Sequence, residues 1–163
     1  MDLKLYVIKG QENAGKTSTC WMLLNKMKEY IDHVSYWDMK CTDGVYFDNQ
    51  RQLYLNKKGY ACDFVIIITT KRTKTKIAII SAGDENWQLR DDIFFMLKKE
   101  VKHIVCCSRN INRKNSTYRM LEYYFKDYIY YKSKEMIFNS DVIIRQKKEE
   151  QISQEIYEQL KLL

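Results

Sequence analysis

Residues Gly10-Gln11-Glu12-Asn13-Ala14-Gly15-Lys16-Thr17 set two glycines, a lysine and a hydroxyl at the spacing GxxxxGK[ST], a spacing suited to cradling a chain of phosphates. At Gly10 and Gly15 no Cβ obstructs the backbone angles or the close approach of a phosphate. The amides of Asn13 through Thr17 are then expected to point inward as donors, with the dipole of a following helix adding favourable potential for an anion. Lys16 is expected to set its ammonium on the β- and γ-phosphates, and the Thr17 hydroxyl to ligate Mg²⁺. Together with Gln11, Glu12, Ala14 and Ser18, these residues make 10–18 the expected nucleotide-binding segment.

Such a loop works only if a strand delivers it and a helix N-terminus receives it. The apolar run Leu3–Ile8 precedes it, and Cys20, Leu23, Leu24, Met27 and Ile31 follow at helical spacing, which predicts a helix over 16–31. His33–Asp38 reads as a second strand ending in a carboxylate. Residues 40–62 carry turn signals around short aromatic runs, an insert where a switch or substrate-binding segment is expected. Phe64–Thr69 and Lys76–Ile80 read as buried strands whose close spacing implies an antiparallel hairpin. A helix on Trp87, Leu89, Ile93 and Met96 follows, then a buried strand over 103–107. Next come a helix from Tyr118 to Ile129, a strand over Val142-Ile143-Ile144 and a closing helix on Ile152, Ile156 and Leu160. Alternating strands and helices predict one domain over 1–163, a three-layer α/β/α sandwich with a mostly parallel sheet and one antiparallel hairpin. Ligands of such sheets bind at the carboxyl ends of the strands, where the 10–17 loop emerges.

Over residues 3–31 this strand–loop–helix resembles the P-loop NTPase superfamily. The resemblance implies binding of a nucleoside triphosphate with Mg²⁺ and leaves the reaction open. A second acidic element must then help hold the metal. Asp84, in Ser81-Ala82-Gly83-Asp84-Glu85 after the Ile77–Ile80 run, is expected as that carboxylate, with Glu85 positioning a nucleophile. The stretch looks like the second switch of small GTPases, with Gly83 at the glycine of D-x-x-G but Ile80 where that family has aspartate. The alternative for Gly83-Asp84 is a turn and helix cap before Trp87. Asp38 is the rival metal carboxylate. The strand ending at Cys107 runs into Ser108-Arg109-Asn110-Ile111-Asn112-Arg113, which lacks the guanine-reading N-K-x-D, so ATP is the expected nucleotide. Arg109, Arg113 and Arg119 suggest the arginine-bearing lid of small kinases, where they would stabilise charge on the transferring phosphoryl group. A solvated basic loop is the alternative.

Composition frames these readings. The chain has 163 residues, 45% hydrophobic and 30% charged, no proline and a formal charge of +7, which fits one soluble domain with an anionic ligand. The basic turn Lys71–Lys76 reads as a solvated hairpin tip, with nucleic acid or an acidic partner as the functional alternative. No stretch approaches a membrane span or a signal peptide, and the five cysteines lack CxxC pairing, so reduced thiols in a cytoplasmic protein are expected. His103 beside Cys106 and Cys107 falls in a buried strand and is read as core. The expected activity is Mg²⁺-dependent ATP binding and hydrolysis. The alternatives are a small-molecule or nucleotide kinase, and a nucleotide-gated module acting on a protein or nucleic acid.

Overall fold

The computed structural model describes residues 2–41, 45–83, 85–109 and 116–163. In chain order these form β1 (Lys4–Lys9), α1 (Lys16–Met27), β2 (Ile31–Lys40), β3 (Tyr46–Asp48), β4 (Leu53–Leu55), β5 (Asp63–Thr70) and β6 (Lys76–Ile80). They continue with α2 (Asn86–Lys98), β7 (His103–Ser108), α3 (Thr117–Phe125), β8 (Ile129–Lys132) and α4 (Val142–Leu160).

Six strands form one sheet in the order β2-β5-β6-β7-β1-β8, and β3 and β4 pair as a separate antiparallel hairpin. β6, β7, β1 and β8 pair in parallel, while β5 runs against both β2 and β6. The Val/Ile-rich central strands are buried on both faces, and their alternation assigns each side chain to one of two cores. Ile8, Phe64, Ile66, Ile77, Ile79 and Val105 meet Cys20, Leu23, Leu24 and Met27 of α1 and Ile152, Ile156 and Leu160 of α4. Leu5, Val7, Val65, Ile67, Ile80 and Ile104 meet Leu89, Ile93 and Met96 of α2 and Leu121 and Phe125 of α3. The helices thus cover the sheet from both sides, as a half-apolar helix and a doubly apolar strand require.

Three boundaries differ from the sequence-based expectation. The first helix ends at Met27, and a single 3₁₀ turn over Lys28–Tyr30 leads into β2. Ile129 opens the edge strand β8 instead of closing a helix. Val142, Ile143 and Ile144, expected as a strand, are the first turn of α4. There the Asp141 carboxylate accepts the N–H groups of Ile143 at 2.9 Å and Ile144 at 3.3 Å. This N-cap overrides the strand preference of three β-branched residues in a row.

The five cysteines are not all reduced. Cys41 and Cys62 form a disulfide, which corrects the expectation of free thiols, while Cys20, Cys106 and Cys107 are buried and unpaired by disulfides. His103 opens β7, partly buried, with its Nδ1 3.1 Å from the Tyr6 hydroxyl. No helix among the described residues is long and apolar enough to cross a membrane.

Candidate functional site

The loop between β1 and α1 is braced by its own chain. The Gln11 N–H donates to the Met136 carbonyl at 2.8 Å, and the Gln11 side-chain oxygen accepts from the Phe138 N–H at 3.2 Å. Asn13 takes a left-handed conformation at φ 57°, which asparagine tolerates better than most residues. Gly15 stands at φ 102° as the N-cap of α1, an angle that favours glycine. Lys16 is buried, and its ammonium donates to the carbonyls of Gly10 at 2.9 Å and Gln11 at 2.6 Å. The lysine is therefore folded back along the inside of the loop.

Thr17, in the first turn of α1, donates its hydroxyl proton to the Asp63 carboxylate at 2.8 Å. Asp63 is the first residue of β5. Because β5 runs antiparallel to β6, pairing Val65 with Ile80, its first residue lies at the carboxyl end of β6 and so at the loop's end of the sheet. Ser81 fixes the carboxylate there: its hydroxyl donates to Asp63 Oδ1 at 3.2 Å and accepts the Phe64 N–H at 2.7 Å. The preceding carbonyl, of Cys62, accepts from Trp21 Nε1 of α1 at 2.8 Å. Asp63 is thereby tied to both the helix and the neighbouring strand.

These groups open on a cavity of about 430 Å³. Residues 12–18 form one wall, and Arg51, Asn56, Tyr60 and Ala61 of the 45–62 insert form a second. Val142, Arg145, Gln146 and Glu149 of α4 form a third, with Asp63, Ser81 and Gly83 at the sheet end. Gly83 is there for space, since a Cβ would collide with the carbonyl oxygen of Cys107. The insert is anchored by Leu53, buried in the α1 core, and by Tyr54, whose ring lies 5.8 Å from that of Trp21. Burial pushes the Glu149 carboxyl above the ordinary carboxylate range, against the opposing pull of Arg51 and Arg145.

Of the 10–18 segment singled out from sequence, residues 12–18 line the cavity, while Gly10 and Gln11 lie outside its wall and give their carbonyls to Lys16. Asp84 and Arg113 lie outside the described residues. Glu85 is the N-cap residue of α2, exposed and not part of the cavity wall. Asp38 is half-buried and pairs in register with Val65, on the α2–α3 side of the sheet; there its charge acts on Asp92 of α2. The structure therefore does not bring Asp38 to Thr17; among the described residues the carboxylate that meets it is Asp63. Arg109 reaches the loop, with Nη2 3.3 Å from Glu12 Oε1 and a side chain 15% exposed. Arg119 sits in the first turn of α3, exposed, its N–H donating to Ser116 Oγ at 3.1 Å. The basic turn after β5 lies at the opposite end of the sheet, where Lys74 pairs with Asp32 at 3.1 Å. Among the described residues no three His, Cys, Asp or Glu side chains gather as a metal cluster.

Chemically, the site offers a buried ammonium, a hydroxyl–carboxylate pair, the N-terminus of a helix and two further guanidiniums around one cavity. That set favours a multiply charged anion. Thr17 and Asp63 also supply hard oxygen ligands of the kind Mg²⁺ takes from protein when phosphates and waters complete its shell. Comparison with known proteins gave no matching family model, no similar curated protein and no similar solved structure. The functional reading rests on this geometry.

Proposed function

We propose that the chain is a P-loop-type NTPase that binds ATP with Mg²⁺ and hydrolyses it. The observation that carries this reading is the meeting of Thr17 and Asp63 at 2.8 Å beside the Lys16 loop, within one cavity. A GxxxxGKT segment between a strand and a helix is a motif. The same segment facing an anchored carboxylate supplies the side chains that a metal–phosphate site requires.

The roles follow from position. Lys16 moves from the carbonyls of Gly10 and Gln11 to the phosphates, exchanging neutral acceptors for charged ones. The amides at the start of α1 hold the bridging and non-bridging oxygens along the helix dipole. Thr17 and Asp63 would hold the metal, with Ser81 fixing the carboxylate's orientation. Bound there, Mg²⁺ supplies neutralisation of charge developing on the transferred phosphoryl group. Tyr60 and Phe138, the aromatic rings of the cavity wall, offer apolar faces to a base.

One observation favours phosphoryl transfer to a second substrate instead. The insert contributes a whole wall of the cavity, where an acceptor would sit. Arg109 is held on Glu12, a residue of the cavity wall, and a guanidinium beside the loop is the kind of group that stabilises a transferring phosphoryl.

Lys16→Ala should weaken ATP binding by on the order of 2–3 kcal/mol, the value of a charge-assisted phosphate contact, in a protein that remains folded. Titration calorimetry with Mg²⁺·ATP measures this, and wild-type affinity in the variant refutes the reading. Phosphate release with and without added hydroxyl-bearing small molecules separates hydrolase from kinase.

A further inference from the structure

Glu149 is out of place on simple electrostatic grounds. On α4 the buried positions Glu149, Ile152, Ser153, Ile156 and Leu160 form one stripe, and its apolar members pack into the α1 core. Glu149 leads that stripe, only 2% exposed, at the level of the loop. A Cβ on Gly15 would come within 2.5 Å of its Oε1. An acid is thus buried against a loop whose other features favour an anion. A buried carboxylate is costly without a partner. It pairs with Arg51, whose Nη2 stands 3.5 Å from Glu149 Oε2, a long single contact and not a bidentate pair.

Arg51 is the opposite case, a cation whose backbone is fixed and whose side chain is partly exposed. Its N–H donates to Asp48 Oδ1 at 3.1 Å in the turn between β3 and β4. The next residue, Gln52, accepts from Asn25 of α1 at 2.8 Å through its carbonyl. The Arg51 side chain is 32% exposed, and the residue lines the same cavity as residues 12–18. One helical turn before Glu149, Arg145 lines that cavity too, and its charge already favours the Glu149 anion.

We infer that Arg51 is an exchangeable phosphate contact and Glu149 its competing anion. When a triphosphate occupies the loop, the Arg51 guanidinium leaves Glu149 for a phosphate oxygen. Arg145, at i−4 on the same helix, then takes over the carboxylate. The 45–62 insert acquires a specific task in this account: it delivers a second cation to the cavity that Lys16 lines. The inference rests on the phosphate-loop reading above and extends it to two residues that no sequence motif marks.

Titration calorimetry with Mg²⁺·ATP on wild type, Arg51→Ala, Arg51→Lys, Glu149→Gln and the Arg51→Ala/Glu149→Gln double variant tests it, with circular dichroism confirming the fold. Arg51→Ala should lose roughly tenfold to a hundredfold in affinity, in the range of a charged hydrogen bond, and Arg51→Lys should recover part of it. Glu149→Gln should bind several-fold more tightly than wild type, and that gain should vanish in the double variant because the competition acts only through Arg51. Wild-type affinity in folded Arg51→Ala, or a Glu149→Gln variant that binds more weakly than wild type, overturns the inference while leaving the phosphate-loop reading intact. Failure of wild type to bind ATP overturns that reading and this inference together.

Discussion

At the scale of single residues, Asp63 is the finding with the most consequence. Its carboxylate sits between the hydroxyls of Thr17, at 2.8 Å, and Ser81, at 3.2 Å. Both hydroxyls point their protons at it, so the oxygen is oriented before any cation arrives. Asparagine at 63 keeps the acceptor and removes the charge. Asp63→Asn should therefore depress Mg²⁺-dependent ATP turnover by about a hundredfold or more while changing metal-free nucleotide affinity far less, since the charge matters most as the phosphoryl group transfers. Asp38→Asn should stay close to wild type, because Asp38 shares the opposite face of the sheet with the α2–α3 core. Phosphate release across a Mg²⁺ titration ranks the two, and the reverse order would move the metal role away from Asp63.

Among the elements, the 45–62 insert has the most to do with the least structure. Its two strands have three residues each, too few to hold a hairpin alone. Three ties compensate: Leu53 in the core, Tyr54 against Trp21, and the Cys41–Cys62 disulfide closing the segment at its base. The disulfide joins the end of β2 to the residue before Asp63, so the same bond frames the hairpin that presents Arg51. Its sequence separation is 21 residues, and a loop of that size constrains the unfolded chain by about 3 kcal/mol in the chain-entropy account. Cys41→Ser should lower the unfolding free energy by about 2–4 kcal/mol. Urea unfolding without reductant measures this, and a variant that unfolds with the wild-type midpoint would show that packing alone holds the insert.

For the whole molecule, the sheet order decides where the chemistry gathers. β7 lies between β1 and β6, so the loop after β1 and Ser81 after β6 are two strands apart. The gap is bridged from outside by β5, whose reversed direction returns Asp63 to the loop's end, and by α1, which carries Thr17 across. The cavity has walls from the loop, the insert and α4, all formed only in the folded chain. Mg²⁺·ATP at a hundredfold excess over its Kd should thus stabilise the fold by about 2.7 kcal/mol by mass action. In a domain of this size that corresponds to a rise in Tm of about 5–10 °C. A thermal-unfolding scan with and without the ligand checks it, and an unchanged midpoint at saturating ATP would exclude binding to the folded state.

The amino-acid sequence alone determined the α/β class, the strand before the loop and the helix after it, and it pointed to the segment whose residues 12–18 line the cavity. These are local matters: glycine conformations, apolar periodicity and a spaced motif act within a few residues of one another. The β5–β6 hairpin was legible too, from two Val/Ile runs joined by a basic turn. That hairpin also carried the signal for Asp63. Antiparallel strands set the first residue of one beside the last of the other, so an acid directly before Phe64 belongs with the end of Ile77–Ile80. The helical start of α4 hinged on the Asp141 cap, against the strand preference of Val142-Ile143-Ile144. Only the tertiary structure decided that Glu149 and Arg51 reach the loop, because they lie 98 residues apart and meet through the packing of α4 and the insert on α1. It likewise decided the pairing of Cys41 with Cys62. Neither contact has a local pattern to announce it; each exists because chain closure brings distant side chains together.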